Sequence, residues 1–371
     1  MKKKRTLFMH EFRTAIGFLL VAIVAVLILT SVWDSEIYSQ IKNGVVNGYG
    51  GAFINYNFAS IAESIYVLLF FGIAIFVICQ FVNIRSGNSG QFVQSLPFKR
   101  KTLYQMKISV GVGTITIPYL VLLAQMICIH GKYFDRVMRL NVCDENFSYI
   151  YIHESLGTLL MQWVLLYLFA IGTYFVFVLM ETLIYRHFMA ALLGFAATIT
   201  PMMIFMSWVS IARRFSDDLP EGALEKAEEI LGVFWGGTTF HAGYLDTDIM
   251  NSYGDWGYVG HSICCVAPGA KIIFMLLLIA ILAISSYFVW IKQDEAKTSV
   301  MIPYHGIRIS LFACIMAGMI TVASYLTVFP VEESFMAKGL NTALLFVAIV
   351  VVAAIGGFLY WVLVRKRGGE A

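Results

Sequence analysis

Two carboxylates, Glu63 and Glu181, are the only acids set inside long apolar runs of this chain. A charge at mid-bilayer costs about 2.5–3.5 kcal/mol on insertion scales, so an intramembrane acid points toward proton or cation coupling. Both lie near run ends: Glu63 two residues into its run, Glu181 five residues before Arg186. Water or Arg186 can satisfy them there, and an interfacial acid is the simpler reading. Other chemistry is sparse. The sequence has no GxxxxGK[ST] phosphate loop, no HExxH and no GxSxG. The usual routes to ATP, zinc-peptidase and serine-hydrolase chemistry are therefore closed to this chain. Its seven histidines are scattered without ligand spacing. We expect no catalytic residue, no metal site and no cofactor on it, and hence a non-enzymatic role. Asp246, Asp248 and His241 are close in sequence, but they read as residues that solvate a loop.

The most informative segment is 85–107. It opens with Arg85, passes through a Gly/Ser stretch, and reaches Phe92, Val93, Leu96, Pro97 and Phe98 before the basic cluster Lys99, Arg100 and Lys101, with Lys107 beyond. Leu96-Pro97-Phe98 reads as a turn and the cluster as the start of a helix. A membrane-surface anchor explains the lysines and arginines. It does not explain the apolar side chains, which would face water unless they dock on something.

These residues must be positioned by membrane helices. Of 371 residues 59% are hydrophobic and 13% charged, half the charge of an ordinary soluble chain, which excludes disorder and a cytosolic enzyme. A net charge of +3 without a broad basic tract argues against nucleic acid as partner. Continuous apolar runs fall at 15–33, 61–82, 108–129, 156–183, 188–212, 272–291, 310–329 and 340–364. Each is long enough to cross a core of about 30 Å as a helix, and none alternates as a barrel strand would. The expectation is an all-α polytopic membrane protein with about eight spans. Lys2, Lys3, Lys4 and Arg5, followed by Leu7, Phe8, Phe12, Ala15 and Ile16 at helical spacing, read as an amphipathic interfacial helix leading into the first span.

With the N-terminus inside, the inner segments hold 17 of the 26 basic residues and the outer segments 9. Nine acids lie in the outer stretch 213–270. Both termini are expected in the cytoplasm, with Trp33, Trp208, Trp290, Tyr360 and Trp361 as interface anchors. The chain divides into a five-span bundle (1–212) with a cytoplasmic loop at 83–107, an extracytoplasmic loop with a short helix (213–270), and a three-span segment (271–371). Small residues four apart, such as Ala190 and Gly194, permit close helix approach. Cys79, Cys128 and Cys314 read as small buried hydrophobes, whereas Cys143 could pair with Cys264 or Cys265 if those loops face an oxidising side.

The Leu-Pro turn, the basic cluster and the helix after it resemble the permease subunits of type-2 ABC exporters. The basic N-terminal helix is similar to that family's elbow helix, and the stretch 290–297 is loosely similar to a charged linker of bacterial members. The resemblance covers the topology of most of the chain, but its specific motif is only some 20 residues long. Two extra C-terminal spans depart from the common six-span pattern. The resemblance implies a coupling helix docked in a cleft of a separate ATPase, with Phe92, Leu96, Pro97 and Phe98 as an apolar knob and Lys99, Arg100 and Lys101 orienting it. It also implies ATP and Mg on that partner, a second permease copy or a similar permease, and a plasma-membrane location. The cargo expected is amphipathic: a peptide, drug or lipid. The competing reading is an ion- or proton-coupled carrier that uses Glu63 or Glu181 and needs no ATPase.

Overall fold

The computed structural model describes residues 2–46, 54–55, 58–85, 99–142, 150–152, 156–184, 187–198, 247–249 and 268–292, together with 350 and 354. Six helices carry the architecture: α1 (Lys2–Val46), α2 (Phe58–Arg85), α3 (Arg100–Val142), α4 (Leu156–Leu183), α5 (His187–Thr198) and α6 (Pro268–Lys292). Four of them contain stretches long and apolar enough to cross a membrane: Glu11–Ser39, Arg100–Asp135, Leu159–Leu183 and Gly269–Lys292. Shorter apolar helical stretches run Phe70–Val82 and His187–Thr198. By length and composition these are the helices of a membrane-embedded protein. The expected runs at 310–329 and 340–364 (apart from 350 and 354), the helix within 213–270 and the cysteines at 143, 264, 265 and 314 lie outside the described residues.

Periodic burial explains why these helices assemble. Along α1 the buried positions are Ala15, Leu19, Ala22, Val26, Thr30, Trp33, Ile37 and Ile41, in steps of three and four. Along α3 they include Leu103, Lys107, Val110, Thr114, Pro118, Leu122, Met126, Ile129 and Tyr133, with the same steps. The two stripes face each other, and α1 packs more extensively on α3 than on any other described element. The α4 helix joins them to α2 and α6. Residues between the stripes, such as Leu20, Val24, Ile28, Leu120 and Ile127, are exposed apolar side chains, as a lipid-facing surface requires.

Helix direction alternates. The starts of α1 and α3, the end of α2, the later part of α4 and the end of α6 share one end of the bundle, as contacts among Glu11, Gln80, Lys107, Tyr174, Tyr104 and Ser286 show. The three short strands come from the connections at the opposite end. β1 (Ile54–Asn55) pairs in parallel with β2 (Ile150–Ile152), and β2 pairs antiparallel with β3 (Thr247–Ile249). A small sheet therefore gathers three otherwise separate connections.

Three expectations need correction. No separate interfacial helix precedes the first span: α1 is one continuous helix of 45 residues. Its first turns lack Pro and Gly, and Glu11 turns inward rather than toward water. Trp33 and Trp290 are 3% and 7% exposed, so they pack in the core instead of anchoring at lipid. Cys79 and Cys128 are exposed rather than buried, because they fall between the buried positions of α2 and α3.

Candidate functional site at the root of the 86–98 segment

Segment 86–98 lies outside the described residues, and with it Phe92, Leu96, Pro97 and Phe98. Its root is described on both sides. The α3 helix begins where the Lys99 carbonyl accepts the Thr102 and Leu103 N–H groups at 2.8 and 3.2 Å. Lys99, Arg100 and Lys101 all stand exposed there. The helix macrodipole does not favour cations at an N-terminus. Three of them in this place are therefore better explained by what they face than by the helix they start.

Two turns further on, Lys107 leaves the surface. Its side chain is 5% exposed and its Nζ donates to Glu11 Oε2 at 2.8 Å and to the Gln80 carbonyl at 2.7 Å. The ammonium also lies 5.7 Å from the centroid of the Phe81 ring, within cation–π range. Glu11 is itself 12% exposed. A buried lysine needs such partners, because an unpaired ammonium out of water is strongly unfavourable. Gln80 reciprocates: its Nε2 donates to the Lys107 carbonyl at 2.7 Å. Each residue's side chain thus holds the other's backbone, and the end of α2 is clamped to the start of α3.

The clamp extends to α4 and α6. Tyr174, fully buried, donates its hydroxyl to Gln80 Oε1 at 3.1 Å. It reaches Gln80 by crossing over Gly111, where any Cβ would overlap its hydroxyl. Tyr104 shares a 2.6 Å hydrogen bond with Ser286 Oγ, and Ser286 donates on to the Ala283 carbonyl. Trp290 Nε1 donates to the Arg100 carbonyl at 3.2 Å, and its ring stands edge-on to Phe81. Polar side chains from five helices therefore meet around the two helix ends that bear the 86–98 segment.

A second ion pair joins the same two helices at the opposite end. Lys132 Nζ contacts both Asp34 oxygens at 3.0 Å, and these side chains are exposed. Glu11 and Asp34 are 23 residues apart and Lys107 and Lys132 are 25 apart. At 1.5 Å per residue that is roughly 35–38 Å, slightly more than a bilayer core of about 30 Å. The two pairs bracket the apolar length of the α1–α3 unit, one buried and one open.

The intramembrane acids divide. Glu63 lies in the second turn of α2 and its side chain is outside the described residues. Glu181, near the end of α4, is 2% exposed, and its Oε2 is 2.8 Å from His187 Nδ1 at the start of α5. Its Oε1 is buried with no hydrogen-bond partner among the described residues. Its partner among the described residues is His187; Arg186, the neighbour the sequence suggested, lies outside them. Beyond this turn the Phe177 ring lies over Gly194 so closely that a Cβ there would come within 2.5 Å, the close approach expected from the Ala190/Gly194 spacing. Sequence reasoning missed Glu11, Gln80, Lys107 and Tyr174. No protein-family model, curated protein or solved structure matches the chain.

Proposed function

We propose that this chain is the transmembrane subunit of a type-2 ABC exporter. In this reading it has eight spans with both ends in the cytoplasm, sits in the plasma membrane, and works with a second permease copy or a similar permease. Separate ABC-class ATPase subunits supply ATP and Mg. ATP-driven closure of the ATPases displaces the coupling segment, and the bundle rocks between inward and outward states to move an amphipathic cargo. One observation carries the reading: the 86–98 segment rises from two helix ends locked by the reciprocal Gln80–Lys107 bonds, with Lys99, Arg100 and Lys101 exposed at its edge. A force on that segment would reach five helices rather than dissipate in a loose hairpin.

The test is the double variant Leu96→Asp/Phe98→Asp. Docking of a large apolar side chain is worth roughly 1.5–3 kcal/mol each. The double variant should therefore lose at least about tenfold in ATPase affinity, since about 1.4 kcal/mol is one decade. The permease should stay folded, because positions 96 and 98 fall outside the apolar runs that form the spans. Copurification of the ATPase and cargo-stimulated ATP hydrolysis read the outcome. Normal docking and transport by the variant would remove the coupling role of the segment. The second reading, an ion- or proton-coupled carrier using Glu63 or Glu181, is favoured by Glu181, a buried carboxyl within an apolar run and 2.8 Å from an imidazole nitrogen.

A further inference from the structure

We propose that the Glu11–Lys107 ion pair is a positioning device that makes the first turns of α1 follow the root of the 86–98 segment. The inference rests on the exporter reading for its purpose, but not for its mechanics. Glu11 occupies the position one turn before Ala15 on the stripe that α1 buries against α3. Lys107 occupies the matching position on the α3 stripe, three residues before Val110. Apolar side chains at both places would continue the two stripes, and replacing a buried ion pair in this way is often neutral or stabilising. Stability alone therefore gives no reason for charges here.

What the ion pair adds is direction. A Leu–Leu contact slides; an ammonium held at once by Glu11 Oε2 and the Gln80 carbonyl ties three helices at one point. Gln80 and Lys107 already fix α2 to α3 through their backbones. Among the described side chains Glu11 is the one polar member of the cluster that belongs to α1. Removing its bond would leave the α2–α3 root intact and loosen the first turns of α1 from it. The Asp34–Lys132 pair is too distant to substitute, at roughly 35 Å along the helix. Displacement of the coupling segment would thus be delivered to the first turns of α1 by this charged contact, where the apolar stripe that packs the rest of α1 on α3 begins. In a hairpin that moved alone, α1 would stay behind.

The test compares wild type with Glu11→Met/Lys107→Met and with the gentler Glu11→Asp, which shortens the acid by one methylene. Spin labels at Arg13→Cys and Gln105→Cys, both exposed positions, report the separation of the start of α1 from the start of α3 in a cysteine-free background. Wild type should give one narrow distance distribution. The double Met variant should melt like wild type but give a broadened, longer distribution, with Glu11→Asp intermediate. With the ATPase bound, the Glu11→Asp variant, which keeps both Gln80–Lys107 bonds, should still dock it and hydrolyse ATP while losing part of its transport per ATP. Distributions as narrow as wild type in either folded variant would overturn the inference, whatever the ATPase does. Broadened distributions in a permease that binds no ATPase would keep the mechanical link and remove the exporter reading.

Discussion

Gly111 and Gly113 lie two residues apart in α3, yet alanine should have opposite effects at the two. At Gly111 a Cβ overlaps the Tyr174 hydroxyl and comes 2.9 Å from its Cε2, whereas at Gly113 nothing lies within 4 Å. Tyr174 is fully buried and stacked near Phe76, so it cannot swing clear without moving α4. Overpacking of this kind costs about 1–3 kcal/mol. Withdrawal of the hydroxyl from Gln80 adds about 0.5–1.5 kcal/mol. Against these stands the gain of about 1 kcal/mol from replacing glycine by alanine in a helix. Gly111→Ala should therefore be destabilised by about 1–3 kcal/mol, and Gly113→Ala stabilised by up to about 1 kcal/mol. Apparent melting in detergent at a fixed heating rate, followed by loss of the monodisperse species, would show shifts of opposite sign. Tyr174→Leu, too short to reach Gly111, should destabilise wild type but cost little in the Gly111→Ala background, a non-additivity expected of touching side chains. Gly111→Ala melting at or above wild type would mean that Tyr174 does not cross α3 at this point, and the network drawn through Gln80 would fail with it.

Glu181→Gln should fold with a loss of about 1 kcal/mol, since an amide can still bond His187. Transport should persist in that variant, and its abolition in a normally folded protein would favour the proton-coupled carrier. For topology, a membrane-impermeant maleimide should label Asp217→Cys but not Asn88→Cys in intact cells of a cysteine-free strain. Labelling at 88 alone would invert the assigned orientation.

Run length made the helices legible. The apolar stretch 156–183 coincides with α4, and 272–291 lies inside α6. Continuous apolar sequence has few alternatives in a membrane, where backbone groups must bond within the segment. What run length does not report is rotation. The inward faces of α2 and α3 could not be chosen from hydropathy, because lipid and core are equally apolar. Cys79 and Cys128 were therefore assigned to the interior when they face outward, and Trp33 and Trp290 to the interface when they lie inside.

Rotation was nonetheless written in the sequence, in charges rather than in apolar residues. Lys107 fell among the basic residues of an inner loop because it precedes an apolar run, and the positive-inside pattern absorbs every such lysine without asking which way it points. Its spacing from Tyr104 and Val110 places it on the buried stripe of α3. The same reasoning applied to Glu11, one turn before Ala15, places an acid on the facing stripe of α1. An acid and a lysine at inward positions of two helices that begin on the same side of the membrane are complementary only if those helices are parallel neighbours. The observed pairing meets that condition, and Asp34 with Lys132 meets it again at the opposite end. A single inward charge constrains nothing, but two opposite ones at matched depth select one helix pair and one register. The information that positions the site thus lay in residues whose charge conflicts with their place on a buried stripe.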